Sequence, residues 1–83
     1  MEKVLLKFYA DWCGPCKMMD PIVKQFEEKS GIEVKHINIE EDMDAANEFG
    51  VQSIPTLVRM EDGKEVARNT GFMALPQIIK FME

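Results

Sequence analysis

The two cysteines of this 83-residue sequence, Cys13 and Cys16, are separated by only two residues. Two thiols at this spacing can close into a disulfide ring and open again, so the chemistry that they predict is thiol–disulfide exchange. They belong to the stretch Trp12-Cys13-Gly14-Pro15-Cys16, which lies between an apolar run and a helical pattern. We interpret the pair as a redox-active dithiol, because two cysteines cannot form the disulfide framework of a small secreted protein.

The position of Cys13 at the start of a predicted helix favours its reactive form. The thiolate is the attacking species, and a helix N-terminus offers unpaired N–H groups and the positive end of the helix dipole. We expect Cys13 to be exposed and to attack a substrate disulfide. Cys16, one turn further and more buried, is expected to resolve the mixed disulfide. Gly14 and Pro15 fix the spacing and rigidity between the two sulfurs.

A strand, a helix and a second strand are predicted to hold the dithiol. Residues 4–9 are apolar enough for a central strand, and apolar residues recur at helical spacing from Cys13 onward. Pro15 suits the first turn of the helix, whereas Pro21 lies inside the helix and is expected to kink it. Residues 32–39 alternate like a strand, which predicts a right-handed parallel βαβ unit.

The second half of the sequence predicts one more helix, a hairpin and a last helix. The acidic residues 40–42 can cap a short helix that ends before Gly50, and residues 56–60 and 65–69 flank an Asp-Gly turn. The predicted order is β-α-β-α-β-β-α, an α/β fold in which helices cover both faces of a four-stranded mixed sheet. No repeat or long linker divides residues 1–83, so a single domain is expected.

Composition and charge argue against several classes of function. The formal net charge is −5 and the basic residues are scattered singly, so no nucleic-acid partner is expected. No apolar run is long enough for a membrane span, and residues 1–20 lack the pattern of a signal peptide, which predicts a cytoplasmic protein. Two cysteines and a single histidine are too few for a tetrahedral metal site, so neither a metal nor another cofactor is expected.

The sequence resembles the thioredoxin family over nearly its whole length. A Trp-Cys-Gly-Pro-Cys-Lys motif followed downstream by Ile-Pro-Thr is highly specific for this family. The matching positions are Phe8 to Met18, Pro21, Gly50-Val51, Ile54-Pro55-Thr56 and Gly71. The resemblance implies a thioredoxin fold and a protein-disulfide reductase that serves electron transport and cell redox homeostasis.

The resemblance also implies a substrate groove and partners. A cis peptide is expected between Ile54 and Pro55, and Trp12, Ile54, Pro55 and Gly71 would form an apolar rim around Cys13. An extended substrate segment could pair with the backbone there. The implied substrates are proteins that contain disulfides, with ribonucleotide reductase as a guess at the family level. The implied electron donor is a thioredoxin reductase that draws on NADPH or ferredoxin, and a monomer is expected.

The sequence departs from the family in three places. Thioredoxins usually begin with an additional strand and helix, so this chain is interpreted as a small, N-terminally shortened member. Lys7 stands where the family commonly has a buried Asp, and His36 where it usually has a Lys. We hypothesise that the Lys7 cation favours the thiolate and makes the protein a stronger oxidant. In the alternative interpretation its ammonium reaches solvent without a role. His36 is interpreted as a solvated residue of an edge strand.

Two other functions remain open. A glutaredoxin-like reductase that uses glutathione is disfavoured by Gly14-Pro15 between the cysteines, and by Gly71-Phe72 where glutaredoxins carry a Gly-Gly pair. The alternative from another class of function is a binding subunit that has the same fold but no redox activity. Such a subunit would keep its activity when Cys13 and Cys16 are both replaced by serine.

Overall fold

The computed structural model describes residues 2–83, and its elements follow the predicted order. Each predicted strand and helix is present, with bounds that differ from the prediction by one or two residues. The elements are β1 (Lys3–Tyr9), α1 (Gly14–Ser30), β2 (Glu33–Asn38), α2 (Met43–Glu48), β3 (Thr56–Glu61), β4 (Lys64–Thr70) and α3 (Leu75–Phe81).

The four strands form one mixed sheet in the order β2-β1-β3-β4. β1 is parallel to β2, as the βαβ prediction requires, and antiparallel to β3. The β3–β4 hairpin turns at Asp62 and Gly63, whose φ angles are 52° and 81°. Two successive positive φ angles are typical of the tight hairpin turns that Asp-Gly favours, so the predicted hairpin is confirmed.

Alternate residues of β1 face opposite sides of the sheet, and helices cover both sides as predicted. Leu5 joins the larger core cluster beneath α1 and α3, which also contains Val23, Leu57 and Ile78. The smaller cluster, on the other face, contains Leu6, Phe8 and Val58, with Ala45 and Phe49 packed against it from α2 and its C-cap. Lys7 lies two residues after Leu5 and therefore on the same face of the sheet, so its side chain points toward α1.

The ends of the first two helices are set by local capping. Cys13 is the N-cap of α1, and Gly31 ends the helix in the left-handed conformation at φ 71°. The helix continues through Pro21, and the kink expected there stays a prediction. Asp42 is the N-cap of α2, and its carboxylate accepts a hydrogen bond from the Ala45 amide at 3.1 Å. The predicted acidic cap is therefore confirmed.

The end of the sheet that contains the hairpin also holds the end of α3. The Lys3 ammonium donates hydrogen bonds to the carbonyls of Met82 at 3.0 Å and Glu83 at 3.2 Å. A cation at a helix C-terminus satisfies carbonyls that have no partner within the helix. The start of β1 and the end of α3 are thereby fastened together.

None of the helices between residues 2 and 83 is both long and apolar enough to cross a bilayer.

Candidate active site

The site forms at one end of the sheet, where four segments of the chain meet. β1 runs toward this end and leads through Ala10, Asp11 and Trp12 into α1. In the sheet register Phe8 pairs with Thr56, and Thr56 pairs with Thr70. The end of β1, the start of α1, the segment before β3 and the residue after β4 therefore lie together.

Cys13 and Cys16 form a disulfide across the first turn of α1, with their Cα atoms 5.3 Å apart. The Cys13 amide donates a hydrogen bond to the Ala10 carbonyl at 3.1 Å, which folds the incoming loop against the helix start. The Cys16 amide in turn donates to the Cys13 sulfur at 3.2 Å. An N–H group of the first helical turn therefore points at the sulfur, as a stabilised thiolate requires.

Both cysteines are nearly inaccessible in this disulfide form. Cys13 is 4% exposed and Cys16 is 1% exposed. The expectation that Cys13 is exposed is therefore wrong for the oxidised state, because the loop after β1 folds onto the helix start. The expected order of burial, with Cys16 deeper, holds by a small margin.

The segment before β3 is tied to the end of β4. The peptide bond between Ile54 and Pro55 is cis, as the resemblance implied. The Gly71 amide donates a hydrogen bond to the Pro55 carbonyl at 2.8 Å, and the Thr56 hydroxyl donates to the Ser53 carbonyl at 2.6 Å. These bonds fix the position of Pro55 relative to the two neighbouring strands.

The four residues proposed as an apolar rim differ in their exposure. Trp12 is 67% exposed, Ile54 and Gly71 are half-buried, and Pro55 is buried. Phe72, which the sequence analysis did not assign to the rim, is 46% exposed beside Gly71. The signal available in the sequence was an aromatic residue directly after Gly71, which the resemblance assigns to the rim.

Lys7 lies behind the dithiol and is fully buried at 0% exposure. Its ammonium forms an ion pair with the Asp20 carboxylate and donates a hydrogen bond to the Cys16 carbonyl at 3.2 Å. The same nitrogen lies 5.6 Å from the centre of the Tyr9 ring, within range of a cation–π contact. The interpretation in which this ammonium reaches solvent is therefore wrong, because protein groups bind it inside the fold.

Asp20 is the residue of this site that the sequence analysis missed. It lies one helical turn after Cys16, and its side chain is 61% exposed although its carboxylate reaches the buried ammonium. The available signal was its position four residues after Cys16, which places both residues on one face of α1. The spacing relates Asp20 to Cys16 on the same helix and not to Lys7 on β1, so it did not identify Asp20 as the partner of Lys7.

His36 is an exposed residue of the edge strand β2, as interpreted from the sequence, and it pairs in register with Lys7. It faces an open cleft of about 550 Å³ between α1 and β2. Partial burial, and then the Lys7 charge, hold the pKa of His36 below its usual value of 6.5, although Asp20 and Glu27 act in the opposite direction. The cleft is lined by Tyr9, Asp11, Asp20, Lys24, Glu27 and His36.

A metal centre is not visible among the described side chains. Between residues 2 and 83 no group of three or more His, Cys, Asp or Glu side chains is arranged to hold a metal ion.

Comparison with known proteins assigns the family. The sequence matches the family model for thioredoxin over residues 1–83. It is 41% identical over 80 residues to a thioredoxin of Chlamydia caviae, which covers 95% of this chain and 78% of that protein. It is also 41% identical over 71 residues to a thioredoxin of Bacillus subtilis, which covers 83% of this chain and 68% of that protein.

Solved structures agree with the sequence comparisons. A single-site mutant of a thioredoxin from Halobacterium salinarum superimposes with a TM-score of 0.94 at 36% identity, over 98% of this chain and 72% of that one. A thioredoxin from Nicotiana alata gives a TM-score of 0.92 at 36% identity, over 98% of this chain and 70% of that one. The predicted thioredoxin fold is confirmed, and the chain belongs to the thioredoxin family as a thiol–disulfide oxidoreductase that reduces protein disulfides.

Proposed function

We propose that the two cysteines divide the reaction, with Cys13 as the attacking and Cys16 as the resolving residue. The observation that carries this proposal is the Cys16 amide, which donates a hydrogen bond to the Cys13 sulfur at 3.2 Å at the N-terminus of α1. A sulfur that accepts an N–H bond at the positive end of a helix is stabilised as a thiolate. Cys16 is the more buried of the two and is already bonded to Cys13.

The reaction then proceeds in two balanced exchanges. The Cys13 thiolate attacks one sulfur of the substrate disulfide, a mixed disulfide forms, and the other substrate sulfur leaves and takes up a proton. Cys16 loses its proton and attacks the Cys13 sulfur. The mixed disulfide breaks, the second substrate sulfur leaves as a thiol, and the Cys13–Cys16 disulfide forms. Two electrons have passed from the protein to the substrate.

We propose that Trp12, Ile54, Pro55 and Gly71 form the surface that holds the substrate. The Gly71–Pro55 hydrogen bond supports this assignment, because it fixes the segment before β3 beside the end of β4. Main-chain groups at this end of the sheet can pair with an extended peptide, and the exposed Trp12 can cover its side chains. Gly14 and Pro15 keep the sulfur ring in its geometry at the start of the helix.

We propose that Lys7 tunes the dithiol from behind. The support is its buried ammonium, which lies 3.2 Å from the Cys16 carbonyl oxygen. A cation near a sulfur favours the thiolate, stabilises the reduced form and makes the disulfide a stronger oxidant.

The cellular setting that fits this chemistry is the reducing cytoplasm. We propose that residues 1–83 act as one monomeric domain in electron transport and redox homeostasis, without a cofactor beyond the disulfide itself. The electron donor is proposed to be a thioredoxin reductase or a similar enzyme. Proteins with accessible disulfides are the proposed substrates, and ribonucleotide reductase is one candidate among them.

Reduction of insulin disulfides tests the proposed function. The protein is assayed with dithiothreitol, with NADPH and a thioredoxin reductase, and with glutathione and glutathione reductase as alternative donors. We expect turnover with the first two donors and little with glutathione. Fast turnover with glutathione alone would support the glutaredoxin-like alternative, and no turnover with any donor would exclude the enzymatic role.

Two single variants test the division of labour between the cysteines. Cys16→Ser should accumulate a mixed disulfide with insulin chains that is visible by mass spectrometry, because the attacking thiol remains and the resolving thiol is lost. Cys13→Ser should accumulate none. A stable adduct on Cys13→Ser instead would reverse the assignment. Full biological activity of the double Cys→Ser variant would favour the non-redox binding subunit.

A further inference from the structure

The ammonium of Lys7 is placed where an unpaired charge is strongly unfavourable. The side chain is fully buried, and an ammonium removed from water requires an opposite charge or several strong acceptors. The described acceptors are the Asp20 carboxylate and the Cys16 carbonyl. Of these two acceptors, Asp20 carries the negative charge, so its carboxylate compensates the buried Lys7 ammonium directly.

The ammonium binds the main chain of the resolving cysteine. The Lys7 nitrogen lies 3.2 Å from the carbonyl oxygen of Cys16, the residue that carries the resolving sulfur. Coulomb interactions over such distances change thiol acidity, and they are weakly screened inside the protein. A net cation here favours a thiolate. In a contact ion pair the electric fields of the two opposite charges nearly cancel, so only their difference acts on the sulfurs.

We propose that Asp20 is a positioning residue that sets the reduction potential of the dithiol by neutralising Lys7. The inference rests on the proposed function and refines the role of Lys7 within it. With Asp20 in place, the effect of the Lys7 charge on the thiolate keeps its sign but is reduced, and Lys7 still binds the Cys16 carbonyl. Without Asp20, the uncompensated ammonium stabilises the reduced form and makes the disulfide a stronger oxidant.

The reaction that Asp20 influences is the exchange between the Cys13–Cys16 disulfide and dithiothreitol. The Cys13–Cys16 disulfide takes up two electrons and two protons from dithiothreitol, its sulfur–sulfur bond breaks, and dithiothreitol closes into its own cyclic disulfide. To the extent that one product sulfur stays a thiolate, one fewer proton is taken up. A net cation behind Cys16 favours that product and shifts the equilibrium toward the reduced protein.

The test measures the exchange equilibrium with dithiothreitol at pH 7.5 for the unsubstituted protein, Asp20→Asn, Asp20→Glu and Lys7→Met. Reduced and oxidised fractions are read by alkylation and mass spectrometry. Glu28→Gln is the matched control, because it removes an exposed carboxylate from the same helix. We expect Asp20→Asn to shift the equilibrium toward the reduced protein by roughly three- to tenfold. Asp20→Glu and Glu28→Gln should stay close to the unsubstituted protein.

A double variant separates the neutralising role from a structural one. Lys7→Met removes the ammonium. In that background Asp20→Asn should not change the equilibrium with dithiothreitol, because there is no buried cation for Asp20 to neutralise. The same shift in both backgrounds would overturn the proposal, as would an Asp20→Asn protein with an unchanged equilibrium. Asp20→Ser replaces Asp20→Asn if circular dichroism shows that the latter is unfolded.

The outcome is distinguishable from a failure of the proposed function. If the unsubstituted protein does not reduce insulin, the reductase role itself is lost. If insulin is reduced but the Asp20 variants keep the same equilibrium with dithiothreitol, only the role of Asp20 is lost.

Discussion

The Gly71 amide donates a hydrogen bond to the Pro55 carbonyl across 2.8 Å, which joins the end of β4 to the segment before β3. Gly71 makes this bond from a φ angle of 108°, a conformation that side chains rarely adopt. No atom within 4 Å would meet a Cβ added at this position, so the requirement for glycine comes from the backbone conformation alone.

Replacing Gly71 with alanine should therefore destabilise the fold and weaken substrate reduction. We expect a loss of about 1–3 kcal/mol in the free energy of unfolding, because the φ angle is strained for alanine. Insulin reduction should slow, since Pro55 loses its fixed position. Urea denaturation and the insulin assay measure the two effects. Gly14→Ala is the stability control: its added Cβ also meets open space, and its φ angle is not positive. An unchanged stability in Gly71→Ala would contradict the argument.

Thr56→Val should loosen the same segment without changing the shape of the core. Thr56 is 2% exposed, and its hydroxyl donates to the Ser53 carbonyl at 2.6 Å. Valine keeps the volume and loses the hydrogen bond, which should cost about 1 kcal/mol in the free energy of unfolding. The KM for insulin should also rise. Thr56→Ser retains the hydroxyl and should keep the KM, so an equal rise in both variants would point to packing instead.

The stability of the protein should fall as the pH is lowered through 6.5. The pKa of folded His36 is held below 6.5 by burial and by the Lys7 charge, so the unfolded chain binds a proton more readily than the folded one. Below pH 6.5 the unfolded state is therefore favoured by protonation, and above it the contribution of His36 to stability is fully present. Urea titrations at several pH values should show this dependence, and His36→Gln should lack it.

Nuclear magnetic resonance measures the titration of His36 directly, since it is the single histidine of the sequence. Lys7→Met should raise the pKa of His36 toward 6.5 because it removes a neighbouring cation. Asp20→Asn should lower this pKa further, because Asp20 acts in the opposite direction. Shifts of the reverse sign would show that Lys7 and His36 are not neighbours in solution.

The ion pair between Lys7 and Asp20 should respond unequally to the loss of either partner. Lys7→Met leaves Asp20 without a partner, but this side chain is 61% exposed and can turn to water. Asp20→Ala leaves a buried ammonium uncompensated and should cost about 1–3 kcal/mol, less than for a fully buried pair because one partner is largely solvated. We expect Lys7→Met to be neutral or stabilising. Urea denaturation of both variants measures the difference, and equal losses would contradict it.

Much of the fold could be predicted because local signals and tertiary packing agree. The apolar run of residues 4–9, the alternation of residues 32–39 and the Asp62-Gly63 turn each specify their element locally, and the structure places each as predicted. The disulfide and the cis bond before Pro55 were accessible through the motif that surrounds them. Predicting these two features did not require knowledge of contacts that only the folded chain reveals.

The surroundings of Lys7 could not be predicted in the same way. A buried lysine and a lysine that reaches solvent follow the same pattern along a strand, and only the packing of α1 over β1 distinguishes them. The partner role of Asp20 depends on the same packing, because the two residues are thirteen positions apart in sequence. The low exposure of Cys13 likewise follows from how the loop after β1 folds onto the helix start.

The fastening of Lys3 to Met82 and Glu83 has a practical consequence. Residue 3 and residue 83 meet at the end of the sheet opposite the dithiol. A short linker could therefore join them in a circularly permuted chain that is opened at the Asp62-Gly63 turn. A tether at residue 83 would attach the protein to an electrode with the dithiol end facing the solution.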